Sequence, residues 1–181
     1  MRSLTYFVAS TIDGFIADPG GGYDWFGFDP ELVAFLRERY PETLPTHVRA
    51  ALGFDDAANA AFDTVVMGSG TYRPALDAGI RDPYAHLRTH VVSRSLQGAE
   101  RDPVALVRRL KAEDGLGIWL AGGGELAGAL RDEIDELVVK LNPVLAGDGV
   151  PLLRGKFAAD RFTLASAEPL GNGVVVLHYR R

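Results

Sequence analysis

The chain has 181 residues, 47% hydrophobic and 24% charged, which is enough to bury one substantial core but short for two. A formal charge of −5, a pI near 5.3 and no block of like charges exclude the basic stripe that a nucleic-acid partner would require. The absence of cysteine excludes disulfides, thiol nucleophiles and thiolate metal sites.

The opening run Leu4–Ser10 reads as a buried strand. It is too short for a signal h-region, and no later run reaches membrane-spanning length, so no membrane partner and a cytoplasmic location are expected. Asp29-Pro30 has the N-cap and N1 residues of a helix running to about Tyr40, before Pro41. Residues 26–60 hold prolines and polar turns but no strand pattern, and are read as a helical excursion over the surface. A second strand is predicted at Thr64–Met67, then a short helix at Thr71–Ala78 closed by Gly79. A strand at His90–Ser93 precedes a helix opened by Asp102-Pro103, with Val104, Val107 and Leu110 on one face. Ile118–Ala121 is the next strand. Three glycines follow it, then a helical spacing of Leu126, Leu130 and Ile134. Strands at Leu137–Leu145, Phe162–Ala167 and Val174–Tyr179 complete the chain, the last two joined by the turn residues Pro169–Gly173.

Strands alternating with helices predict one α/β domain over residues 1–181. It has a mostly parallel central sheet, helices on both faces and an antiparallel C-terminal edge. The continuous Val/Ile/Leu runs suit a sheet covered on both sides.

Three strand ends carry residues suited to phosphate. Gly122-Gly123-Gly124-Glu125-Leu126 is a side-chain-free turn into a helix, a geometry that aims backbone N–H groups at an anion; it also fits an ordinary tight turn. Gly68-Ser69-Gly70-Thr71 repeats the junction, with Thr71 either a simple N-cap or a phosphate hydroxyl. A serine-hydrolase elbow is excluded there, because Met67 stands two positions before Ser69 where glycine is required. Ser93-Arg94-Ser95 sets a guanidinium between two hydroxyls, which suits a phosphate monoester or an ordinary solvated loop. The four histidines, His47, His86, His90 and His178, show no metal-ligand spacing, and no metal is expected. A Rossmann fingerprint would follow the first strand, whereas here that strand runs into Thr11-Ile12-Asp13-Gly14 and the glycine cluster comes late.

The blocks ASTIDGFIAD…DW, DTVVMGSGTY, HVVSRS, IWLAGGGEL and IDELVVKLNPVLAGDGVPLL, in this order, resemble the dihydrofolate-reductase-like superfamily. The branch they are most similar to holds the reductase domain of the bacterial riboflavin-pathway deaminase/reductase. The resemblance covers most of the chain outside about 26–60. It implies an NADPH-dependent, homodimeric reductase of a small molecule. Ala9 and Ile16 would flank the nicotinamide, and Gly68, Ser69, Gly70 and Thr71 would hold the dinucleotide phosphates. Ser93, Arg94 and Ser95 would surround the adenosine 2′-phosphate. Gly122, Gly123, Gly124, Glu125 and Leu126 would seat the pyrophosphate, with a cis link between the first two glycines. Trp25 would border the substrate.

Two departures follow from the same resemblance. Ser69 stands where a basic residue is common, leaving Arg73 or Arg94 to supply that charge. The pteridine-anchoring carboxylate of folate reductases has Asp56 as its nearest match, on a helix expected at 55–60, but Asp55-Asp56 reads better as an N-terminal cap of that helix. Asp24 is a second candidate acid. The implied reaction is hydride transfer to a C=N or C=O of a heterocycle such as 5-amino-6-(5-phosphoribosylamino)uracil, with Arg37, Arg39 and Arg49 as candidate contacts for its phosphate. Dihydrofolate reduction and a non-catalytic NADPH-binding module are the alternatives.

Overall fold

The computed structural model describes residues 1–181. Five parallel strands form its centre: β1 (Leu4–Ser10), β3 (Phe62–Gly68), β4 (Arg88–Val92), β5 (Gly117–Leu120) and β6 (Glu136–Leu141). With the antiparallel β8 (Thr163–Pro169) and β9 (Val175–Arg180) they make one seven-stranded sheet, ordered β4-β3-β5-β1-β6-β9-β8. A separate two-stranded ribbon pairs β2 (Phe15–Ala17) with β7 (Val150–Pro151).

Each face of the sheet is covered because each helix presents one apolar stripe. On one side, α4 (Pro103–Lys111) and α5 (Gly124–Ala129) pack Leu106, Leu110 and Leu126 onto Leu4, Tyr6, Val66 and Leu120. On the other, α1 (Pro30–Arg39) packs Leu32, Phe35 and Leu36 with Phe7, Val65, Met67, Trp119, Val138 and Val176. Each such side chain contributes about 1.5–3 kcal/mol when fully buried. Both α1 and α4 begin as their sequences predict. Asp29 accepts from the N–H groups of Glu31 and Leu32 (2.9 and 3.0 Å), and Asp102 from that of Ala105 (2.9 Å).

The excursion contains α1, a 3-10 turn at Pro41–Thr43 and α2 (Thr46–Ala51), with no strand. It is fastened to the sheet by Glu42, whose fully enclosed carboxylate accepts from the N–H groups of Ala60 (3.0 Å), Ala61 (2.7 Å) and Phe62 (2.7 Å). These donors lie at the start of β3, so the carboxylate satisfies backbone that has no strand partner there.

Four expectations need correction. The expected helix at 55–60 is absent: α2 ends at Ala51, and 52–61 is a turn pinned by buried Phe54 and by Arg49, whose guanidinium donates to the carbonyls of Asp55 and Ala57. β6 stops at Leu141 rather than Leu145, because Asn142 turns its amide back onto the Lys140 carbonyl (2.8 Å) and Pro143 has no N–H for a ladder. α5 ends at Ala129 rather than reaching Ile134. Leu130 and Ile134 are still buried, but a 3-10 turn at Arg131–Glu133 lies between them, so the apolar spacing outlives the helix. The helix α3 (Ser69–Asp77) begins two residues before the predicted Thr71. The β2–β7 ribbon carries no alternating pattern that the sequence alone would reveal.

Candidate functional site at the carboxyl edge

Parallel strands bring their carboxyl ends to one edge, where open α/β sheets bind ligands. Along that edge stand, in order, the ends of β4, β3, β5, β1 and β6. The two glycine junctions are therefore neighbours. The Gly68 N–H donates to the Gly122 carbonyl (3.1 Å), and a Cβ on Gly68 would lie 3.9 Å from Gly122 O and Gly123 N. Gly122 has φ +115°, which favours glycine, and its peptide to Gly123 is cis. Thr71 Oγ1 lies 3.6 Å from the place a Cβ on Gly122 would occupy.

The helix starts on this edge differ from those elsewhere. Whereas α1 and α4 are capped by Asp29 and Asp102, α3 and α5 begin at Gly68 and Gly123 with no side-chain cap. Their first-turn N–H groups are left for an external acceptor, and both macrodipoles add positive potential at one place. Ser69 and Thr71 bring hydroxyls to the same turn, and Gly70 has open space around it.

Not every glycine here serves an opening. A Cβ on Gly124 would come 2.2 Å from Pro151 O, and one on Gly128 would come 1.7 Å from Arg154 O. The Gly124 carbonyl accepts from Arg154 N (2.9 Å), so these two glycines let the chain after β7 lie directly on α5. Leu126 is buried in the core, and Glu125 points outward, 3.7 Å from Arg154.

At the β4 end, the Ser93 hydroxyl is occupied by its own turn, accepting from the N–H groups of Ser95 (3.2 Å) and Leu96 (3.0 Å). This turn leaves Arg94 and Ser95 exposed, and the Arg94 guanidinium makes no ion pair. Arg73, also exposed, is likewise without an acidic partner.

Ala9 is partly exposed near the end of β1, and Ile16 is the central residue of β2, packed on the core beside α5. Between them, Asp13 clamps the loop after β6. Its carboxylate accepts from Thr11 Oγ1 (2.6 Å), Ala146 N (3.1 Å) and Gly147 N (2.7 Å). The Thr11 hydroxyl is the largest influence holding the acid at about 2, against an ordinary 3.8. Since the folded value is depressed, this stabilisation is complete above the ordinary value and is lost as pH falls through about 2. Amide exchange at Gly147 is therefore expected to accelerate between pH 4 and 2 in the parent protein, and to be fast and nearly pH-flat in Asp13→Asn once the intrinsic rate is removed. Equal protection in the two proteins would discount the clamp.

Trp25 and Asp24 lie in a 3-10 turn (Asp24–Phe26). The Trp25 indole N–H donates to Gly22 O (3.1 Å) and its ring stacks on Phe26 at 4.2 Å, yet it remains 38% exposed. Asp24 is exposed and has no cationic partner. Asp56 is in a different place: it is exposed in the turn before β3, on the side of the sheet where that strand starts, and so is separated from the glycine junctions by the strand's length. The candidate phosphate contacts of the excursion are also engaged elsewhere. Arg49 is buried under its own turn, Arg37 stacks over Phe54 at 5.5 Å, and Arg39 pairs with Glu38.

Lys140, absent from the residues the sequence singles out, is the single charge in the run Leu137–Leu141. It is the register partner of Ala9, and its Nζ lies 4.4 Å above the Phe7 ring. A lone lysine in an otherwise apolar central strand was the available signal. Two concavities lie elsewhere, one of about 390 Å³ at the amino edge beside Tyr40 and His178, another of about 290 Å³ beside Arg131 and Asp160.

The strand order, with paired glycine junctions on β3 and β5 and an antiparallel edge, defines a dihydrofolate-reductase-like α/β protein. Residues 80–176 match the family described as RibD C-terminal domain, and the chain belongs to that family. It is 28% identical to the uncharacterized protein YwjB of Bacillus subtilis (strain 168) over 99% of this chain and 98% of YwjB. Among solved structures it resembles the pyrimidine reductase-like protein DIP1392 from Corynebacterium diphtheriae, with TM-score 0.68, 14% identity, and coverage of 99% and 91% of the two chains. It also resembles the diaminohydroxyphosphoribosylaminopyrimidine deaminase/5-amino-6-(5-phosphoribosylamino)uracil reductase from Thermotoga maritima, with TM-score 0.64, 15% identity, and coverage of 99% of this chain and 56% of that one. These structural likenesses establish the fold.

Proposed function

We propose that the protein is an NADPH-dependent reductase acting on a C=N or C=O of a small heterocyclic substrate of the ribosylamino-pyrimidine kind. The observation that carries this reading is the meeting of two glycine-capped helix starts, α3 and α5, at adjacent strand ends. Helix N-termini bind phosphate groups, and these two uncapped starts belong to strand ends that are hydrogen-bonded to each other. Gly68, Ser69, Gly70 and Thr71 would hold it from one side, and Gly122 and Gly123 from the other. Arg94, whose guanidinium makes no ion pair, and the exposed Ser95 beside it suit a phosphate monoester further along the edge. Ala9 and Ile16 leave an apolar seat at the end of β1 for a flat ring. When bound, NADPH supplies the hydride, and the protein's part is to orient the reactants and exclude water. Trp25 and Asp24 would border the substrate, and Asp24 supports a proton-donor role better than Asp56 because Asp56 stands near the other edge. That same displacement removes the specific support for dihydrofolate as substrate.

Titration with NADPH, followed by its fluorescence, tests the reading; no binding at high micromolar concentration sinks it. Binding without oxidation across a panel of pterins and pyrimidines would favour a non-catalytic module. For Arg94→Ala we expect NADPH affinity to fall by about 10- to 100-fold while NADH affinity changes little, since only the 2′-phosphate differs. Equal losses would remove Arg94 from that role. A homodimer belongs to the same proposal: β8 is an exposed edge strand with Leu164 51% exposed, and such edges are normally covered. Light scattering that gives a single-chain mass would exclude it.

A further inference from the structure

The structure assigns a substrate-recognition role to Lys140: its ammonium is the positive charge that receives an anionic or strongly polarised oxygen of the substrate, on the α1 side of the β1 and β6 strand ends. Several observations converge on this residue. Lys140 is two positions beyond Val138, so it faces the same side of the sheet as α1, and the Phe7 ring lies 4.4 Å from its Nζ. That side is built for apolar packing, yet no carboxylate lies within ion-pair distance of the amine and no hydrogen bond to it is formed. The nearest acids on this face are otherwise placed. Glu136 is held by His178 at 2.7 Å, and Glu168 stands two strands away, across Val176.

A cation in such surroundings is costly unless a ligand completes it. Burial accordingly pushes its pKa down to about 8 from an ordinary 10.5. Nor is the amine sealed in. The fully enclosed polar nitrogens without partners belong to Arg2, Arg49 and His90, and Lys140 Nζ is not among them, so this half-buried side chain keeps some contact with solvent. Its register partner on β1 is Ala9, which is also half-buried. Ala9, and Ala121 just past the end of β5, are small residues on this face, and they leave room beside the proposed ring seat. The stacking of Phe7 fixes the ammonium laterally while its outward N–H groups stay available.

The inference rests on the reductase reading only for calling the ligand a substrate, and the test separates the two. The chain has three lysines, Lys111, Lys140 and Lys156, so modification by trinitrobenzenesulfonate at pH 8 can be assigned by peptide mass mapping without cofactor. In that reaction the neutral amine forms a bond to the ring carbon, sulfite leaves and a proton is released. Lys140 is expected to react about ten-fold faster than Lys156. Protection of about five-fold by inorganic phosphate would identify a phosphate oxygen as the ligand. Equal protection by uridine, with none from phosphate, would identify a ring carbonyl. Failure of Lys140 to label, or labelling that neither compound slows, overturns the proposal. In Lys140→Met, NADPH affinity is expected to stay within two-fold of the parent while the phosphate or uridine effect on Lys156 and Lys111 remains absent. A ten-fold loss of NADPH affinity in that folded variant would instead assign Lys140 to the cofactor, again overturning it. If the parent fails to bind NADPH, the reductase reading falls while the labelling result stands.

Discussion

Gly68→Leu is expected to lower NADPH affinity by about 100-fold, roughly 2.8 kcal/mol, with the fold intact. The position tolerates a side chain in its backbone, since φ is −77°. A Cβ would also fit, with Gly122 O, Gly123 N and Leu126 Cβ each 3.9 Å away. The remaining three carbons would crowd the junction where the two helix starts meet, the place that the proposed function gives to the pyrophosphate. Gly70→Ala is the control, because nothing lies within 4 Å of its added Cβ, and its affinity should change less than three-fold. Fluorescence titration beside thermal melting separates binding from folding. Unaltered affinity in a folded Gly68→Leu protein would place the dinucleotide elsewhere.

Glu42→Ala should have the largest effect on stability, about 3 kcal/mol or more. The substitution leaves the buried N–H group of Phe62 and the part-buried one of Ala61 without acceptors, at about 1–3 kcal/mol each, and opens a cavity where the enclosed Glu42 side chain stood. It also frees the excursion, since the Glu42 backbone carbonyl is the partner of His86 Nε2 (2.9 Å) and depends on the same placement. Burial, the largest influence on His86, depresses its pKa, so that contact is made by a largely neutral ring near neutrality. Glu42→Gln retains one accepting oxygen and is expected to cost about half as much. Urea midpoints measure both; a loss below 1 kcal/mol in the alanine variant would mean that water replaces the carboxylate.

These two residues also differ in how far the sequence disclosed them. Gly68 was legible because a strand, two glycines and a helix start occupy consecutive positions, and local order alone fixes that junction. Glu42 was not, since its partners lie eighteen to twenty residues away and nothing in Pro41-Glu42-Thr43 marks a carboxylate that will be enclosed. Asp56 failed for a related reason. Its motif fitted a helix cap, but Phe54 and Arg49 fold that segment into a turn near the amino edge. Gly124 illustrates a third case: the sequence placed it in a phosphate-compatible turn, whereas in the fold its missing side chain makes room for the Pro151 carbonyl.

The sequence by itself determined the alternation of strands and helices, the parallel core and the three phosphate-compatible strand ends. Each depends on hydrophobic period, capping residues and glycine placement, which act over a few residues. Only the tertiary structure decided that two of those ends are adjacent, that their helices are left uncapped, and that Lys140 stands unpaired beside Ala9. Strand order and side-chain enclosure depend on contacts between segments far apart in the chain, and short-range pattern carries no record of them.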